Sequence, residues 1–207
     1  MRRPTTRPRT LVRQPKNRNA KIWRFVDLPK FIDFVHTGSL YFGRLDKLED
    51  PYEGPPPRAE LMKLRSDTTT KWMADLFPTM NRANIYVNSW YMSEHEPAAM
   101  WKLYAGADAG IALCSPYGLL AKAVESSPHG ITVGLVRYGQ VSLNGTTTWE
   151  HAMCKRHSFE HEREVRAVIP PASMMFSSRK TKAGYIPTVS GRRILQRLDC
   201  QFHEPLR

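Results

Sequence analysis

The apolar runs of this chain are all short: none exceeds a handful of residues before a charge, a glycine or a proline closes it. A helix that crosses a bilayer needs about 20 consecutive apolar residues, so no such span is encoded and no membrane partner is expected. The runs have the length of strands, and they fall at 22–25, 39–44, 85–90, 111–114, 130–138 and 163–169. Helical signals lie between them. Asp27 precedes Leu28 and Pro29 as an N-cap before a first-turn proline, Phe31, Ile32, Phe34 and Val35 supply an apolar face, and Gly38 is the stop. Over 96–105 Met100, Leu103 and Tyr104 fall at i, i+3 and i+4, and 117–125 reads as a short helix. Leu61, Leu64, Trp72, Met73 and Leu76 mark a helical excursion that Pro78 ends. With no internal repeat and no heptad, this order predicts an α+β fold, a mixed or antiparallel sheet with flanking helices in a single domain over 20–170. After Pro170 the periodicity fades, and 171–207 is a loop-rich segment with a basic cluster at Arg179, Lys180 and Lys182.

The charge is uneven. Arg2, Arg3, Arg7, Arg9, Arg13, Lys16 and Arg18 put +7 of the formal +12 into residues 1–19, which hold no acid and only two aliphatics. So little apolar surface does not offset the entropy of ordering, and 1–19 is expected to be a disordered basic arm able to engage nucleic-acid phosphates. Three cysteines without a CxxC pair fit neither a disulfide framework nor a cysteine zinc site, and point to a reducing cytoplasm. The seven histidines form no HExxH or other ligand spacing, which argues against zinc, and no Walker A, GxGxxG or GxSxG motif occurs.

The segment 159–169 carries the most chemistry. Read as a strand, it sets Glu160, Glu162, Glu164 and Arg166 on one face, with Phe159, Val165, Ala167 and Ile169 on the other. Like charges at that spacing raise one another's pKa, which suits a carboxylate that moves a proton or holds a ribose hydroxyl; an edge strand with Glu164 and Arg166 as an ion pair is the plainer account. Arg24, between Trp23 and Phe25, needs an anionic or planar partner, met by a substrate phosphate or carboxylate or by an internal acid such as Glu162. Arg44 poses the same choice. Asp50 and Glu53, in a rigid turn closed by Gly54, would bind a metal or orient a base, although a turn in which Asp50 caps backbone amides is simpler. Trp101 and Tyr104 share a helix face, which serves core packing or stacking on a nucleobase or nicotinamide ring.

Five motifs occur in one order: Trp23-Arg24-Phe25, Leu40-Tyr41-Phe42, Asp50-Pro51-Tyr52-Glu53-Gly54, Met100-Trp101-Lys102-Leu103-Tyr104 and Glu162-Arg163-Glu164-Val165-Arg166. The series resembles the bacterial family catalogued as domain of unknown function 2971, over about residues 21–169. The family name implies no activity, and its members continue into strand and helix not recognisable in 171–207.

The chain order, an early Arg24 strand, a helix, a strand at 40–44 and a late strand with glutamates, is also similar to the ADP-ribosyltransferase layout. That resemblance implies NAD as substrate, Arg24 as its anchor and Glu164, with Glu162 second, as the catalytic acid; Asn88-Ser89-Trp90 stands where a Ser-Thr-Ser element would. Arg44, Trp101 and Tyr104 are the further candidates for contacting NAD. Two other expectations stand beside it. One is a nucleic-acid binder or nuclease holding Mg²⁺ on Asp50, Glu53, Glu162 and Glu164, and the other is a non-enzymatic interaction module of a defence or toxin system.

Overall fold

The structure is a computed structural model. It describes residues 12–54, 58–104, 110–127, 129–139 and 148–170, and beyond these 180–181, 184–185, 189–190, 194 and 199–202. In chain order the elements are β1 (Lys21–Asp27), α1 (Leu28–Thr37), β2 (Ser39–Leu40), β3 (Gly43–Arg44), α2 (Arg58–Ser66), α3 (Lys71–Asn84), β4 (Tyr86–Met92), α4 (Ala98–Tyr104), β5 (Gly110–Pro116) and α5 (Tyr117–Glu125). There follow β6 (Thr132–Leu135), β7 (Arg137–Tyr138), β8 (Cys154–Lys155), a 3₁₀ helix His157–Glu162, β9 (Glu164–Ile169), β10 (Lys180–Thr181), β11 (Gly184–Tyr185), β12 (Val189–Ser190) and β13 (Asp199–Phe202).

The fold is α+β, as the alternation of runs predicts. The main sheet runs β13-β5-β1-β4-β9-β6 with β3 also beside β4, and its pairings are antiparallel. One face carries the largest apolar cluster: Ile22 and Val26 of β1, Trp90 of β4, Ile111 and Leu113 of β5, and Val165, Ala167 and Ile169 of β9. Phe34 of α1 and Leu120, Ala121 and Val124 of α5 close it. Helix α1 starts and stops where its signals stand. Asp27 accepts the Lys30 amide at 2.8 Å, and Gly38, at φ 63°, returns its N–H to the Phe34 carbonyl. Among the described residues no helix is long and apolar enough to cross a membrane.

Three expectations are corrected. Residues 12–19, the described part of the expected arm, are not loose. Val12 and Pro15 are buried, Leu135 N–H donates to the Arg13 carbonyl, and Gln14 donates to the Val133 carbonyl at 2.7 Å. Gly134 is what lets this segment lie across β6, because a Cβ there would sit 2.3 Å from Val12 Cγ1 and 2.5 Å from the Arg13 carbonyl oxygen. Arg2, Arg3, Arg7 and Arg9 lie outside the described residues; the Arg18 side chain faces Glu125 at the surface. Pro78 does not end a helix either. The excursion is two helices, and α3 runs through Pro78 to Asn84, its last turn tied down where Arg82 donates to the Leu45, Asp50 and Pro51 carbonyls. Finally, described residues beyond 170 belong to the fold: β13 pairs along β5, β12 pairs with β2, and Ile194 is fully buried in the main cluster.

Candidate functional site

Strand β1 pairs with β4 only at Ile22↔Met92 and Trp23↔Tyr91, while β3 takes the other end of the same β4 edge at Tyr86 and Val87. Between the two partners the sheet is split. Arg24 fills the gap with Nη1 donating to the Ser89 carbonyl at 2.9 Å and Nη2 reaching the Tyr41 carbonyl at 3.5 Å, and Asn88 Nδ2 donates to the same Tyr41 oxygen at 2.7 Å. Side chains thus satisfy backbone groups that a continuous ladder would have paired. At this split opens a pocket of about 510 Å³, a size ordinary for small-molecule sites. Arg24, Phe25, Tyr41, Tyr91 and Phe159 are among its lining residues, and Glu53, Lys155, Glu162, Glu164 and Arg166 line it too.

These last five form a buried charge network. Arg166, 1% exposed, holds Glu164 bidentately at 2.6 and 2.7 Å, reaches Glu53 Oε2 at 2.7 Å and donates to the Ala152 carbonyl at 2.6 Å. Lys155 lies beside it, its ammonium 3.1 Å from Glu53 Oε1, hydrogen-bonded to Glu162 Oε2 and 3.7 Å from Glu164 Oε2. Three carboxylates therefore converge on one point, and a lysine nitrogen occupies it. Burial alone would raise the Glu164 pKa, but Arg166, Lys155 and a hydrogen bond with Ser89 outweigh it and the carboxyl ends below its usual range. Burial likewise works against the Lys155 ammonium, and Glu164, Glu53 and Glu162 overcome it, so its pKa is raised. Arg24 differs. Loss of water lowers its pKa to about 10 against the attraction of Tyr41 and Glu164, and its hydrogen-bond partners are neutral carbonyls.

The network rests on local chain geometry. Residues 157–162 are a 3₁₀ helix rather than the start of a strand, which corrects the single-face reading of Glu160, Glu162 and Glu164. Arg163 then turns the chain at φ 40°, in the left-handed region, and β9 begins at Glu164. Glu162 and Glu164 reach Lys155 from the two sides of that turn, while Glu160 is exposed and faces His157. Glu164 and Arg166 do share a strand face, opposite Tyr91 and Ser89 of β4. The Tyr138 hydroxyl receives the Glu164 N–H at 2.7 Å and holds the strand's first residue. Asp50 behaves as the turn account has it, accepting from the Tyr52 amide at 3.0 Å, and Arg156 Nε meets its other oxygen at 3.0 Å. Gly54 follows Glu53 at φ 84° with Leu45 Cδ2 2.3 Å from where a Cβ would stand, so only glycine fits the turn that aims Glu53 inward.

The structure brings Arg24, Asp50, Glu53, Glu162, Glu164 and Arg166 to one pocket. It does not bring Arg44 or Trp101 there. Arg44 pairs with Asp46 at 2.5 Å, and Trp101 is buried against Trp23, Ala112 and Cys114, edge-on to Phe25 at 5.0 Å, its indole N–H donating to Glu96. The Tyr104 side chain lies outside what the structure describes. Lys155 is the member that the sequence reading missed. Its signal was electrostatic, since a row of buried carboxylates beside a single arginine requires another cation. Among the described residues no three of His, Cys, Asp and Glu are arranged to hold a metal ion. Compared with family models, with curated proteins and with solved structures, the chain matches none.

Proposed function

We propose that the chain is a member of the bacterial domain of unknown function 2971 family and works in the cytoplasm as an ADP-ribosyltransferase-like enzyme with NAD as substrate. The observation that carries this reading is that Arg24, on the first strand, and Glu162 and Glu164, at the last strand of the sheet centre, line a single pocket. Among the described residues Arg24 has no carboxylate as a hydrogen-bond partner, so its N–H groups meet only neutral carbonyls and its charge suits the pyrophosphate of the dinucleotide. Tyr41 lines the same pocket and is the aromatic side chain on which a ring of the dinucleotide would stack. Glu164 is saturated by Arg166, whereas Glu162 engages Lys155 through one oxygen, so Glu162 is the carboxylate that meets the nicotinamide ribose. In the transfer the bond from ribose C1 to the pyridinium nitrogen breaks, its electron pair leaves with nicotinamide, and the acceptor nucleophile bonds to C1 and gives up its proton. The carboxylates stabilise the positive charge that develops at C1.

Incubation with labelled NAD and bacterial RNA or lysate should give nicotinamide release and label on an acceptor. Glu162→Gln should reduce release at least about 100-fold. A wild-type chain that neither releases nicotinamide nor binds NAD would sink the proposal.

A further inference from the structure

We infer that Lys155 is the positioning residue of this pocket, an internal cation that holds Glu53, Glu162 and Glu164 in the arrangement a ligand meets. As it bears on NAD turnover this rests on the reading above; as it bears on the carboxylates it stands alone. Three observations carry it. The Lys155 ammonium contacts one oxygen of each carboxylate, and all four side chains are at least nine-tenths buried. The acids come from two places in the chain, Glu53 from the turn at 50–54 and Glu162 and Glu164 from the two sides of the turn at Arg163, so no shared element fixes Glu53 against the other two. Among the described residues Arg166 reaches Glu53 and Glu164 but does not pair with Glu162, and Lys155 is the cation that draws Glu162 into the group.

The consequence is specific. Lys155 takes one oxygen of Glu162 and orients the other, and its ammonium nitrogen lies over the Phe159 ring at 4.5 Å from the centroid, so the lysine also fixes an aromatic wall of the pocket. Without the ammonium, the oxygens of three carboxylates would face one small volume with no charge at its centre. As they stand no three acids among the described residues are arranged to hold a metal ion; freed of the ammonium, the three carboxylates repel one another unless they close on a hard divalent cation, which selects oxygen ligands at close range.

The test uses the full chain with Lys155→Ser, Lys155→Gln and Lys155→Arg, each checked for fold by circular dichroism. Mn²⁺ binding is followed by calorimetry. Lys155→Ser, with Lys155→Gln as its second form, should bind Mn²⁺ where the wild type does not, and adding Glu162→Gln should abolish the gain. A folded Lys155→Ser that binds no more Mn²⁺ than the wild type would overturn the inference, as would equal Mn²⁺ binding by the wild type or loss of fold in both neutral variants. In the NAD arm, Lys155→Arg keeps the charge with a different shape and should lower nicotinamide release about 10- to 100-fold with NAD affinity unchanged, the pattern of a positioning residue. Unchanged release would count against positioning. If the wild-type chain proves inactive on NAD, the functional proposal fails alone, and the Mn²⁺ measurement still decides the role of Lys155.

Discussion

On one face of the central sheet Val165, Ala167 and Ile169 of β9 join a cluster with Trp90, Leu120 and Phe34 in which the strand contributes only apolar atoms. One residue away along the same strand, on the other face, Glu164 and Arg166 are as deeply buried, and every bond they make is ionic or polar. The two faces tolerate change differently. The apolar face is held by area and packing, so trimming it costs in proportion to what is removed. The charged face is held by completeness: each member is stable there because the others are, and removing one leaves the rest as uncompensated buried charges.

The largest effect should therefore come from the charged face. Arg166→Met keeps the volume and leaves Glu53 and Glu164 without their main counter-charge; we expect a loss of about 3–5 kcal/mol in urea denaturation. Ile169→Val, on the apolar face, should cost about 0.5–1.5 kcal/mol. Adding Glu53→Gln and Glu164→Gln to Arg166→Met should recover part of the loss, because the orphaned charges go with the substitution. A loss below about 1 kcal/mol for Arg166→Met would show that water reaches the network, and the contrast between the faces would collapse.

The same contrast explains what the sequence made legible. Strand β1, helix α1 with its caps, β4, β5 and α5 follow from apolar periodicity and from Asp27, Pro29 and Gly38, all local signals. In the run at 130–138 a glycine in strand context signals a bend or a close backbone approach, and Gly134 is a close approach. Six of the residues singled out as functional candidates or their partner, Arg24, Asp50, Glu53, Glu162, Glu164 and Arg166, do share a pocket. That the carboxylates needed a second cation could be argued, but not that Lys155 was the one, because a lysine flanked by Cys154 and Arg156 looks like any surface basic residue until Glu53, Glu162 and Glu164 surround it. The basic stretch at 12–19 was misread for a related reason. Its composition is that of a solvated tail, yet its backbone is used against β6 and α5 and Val12 packs with Ile85, Val87 and Val168.

That misreading gives an effect of intermediate size. Chains lacking 1–11 and 1–19 differ only by residues 12–19, which supply the buried Val12, the Gln14 hydrogen bonds to the Val133 carbonyl and to Tyr117, and the Arg18 carbonyl that receives the Gly118 N–H at 2.7 Å. Burial of one valine together with two or three net hydrogen bonds amounts to about 2–4 kcal/mol. The longer truncation should melt lower by roughly 4–15 °C than the shorter one. Equal melting temperatures would return residues 12–19 to the status of a solvated arm.

The smallest effect should come from the pocket mouth, where charges meet as they do at the floor but in water. Arg156 is about half exposed, with its Nε 3.0 Å from Asp50 Oδ2 and its guanidinium over the rings of Tyr52 at 4.9 Å and Phe159 at 5.2 Å. Asp50 retains its hydrogen bond from the Tyr52 amide without Arg156, so the turn keeps its shape. Solvent and salt screen such a pair, and holding a long side chain in place offsets much of the attraction. Arg156→Ala should cost less than about 1 kcal/mol, and the cost should shrink toward zero as NaCl rises to about 1 M, where the screening length is about 3 Å. Arg166→Met should keep its full cost under the same salt, because its partners are out of reach of the ions. A salt-independent loss for Arg156→Ala would mean that the mouth and the floor are one network, and the contrast between buried and solvated charge would then have to be drawn further out on the surface.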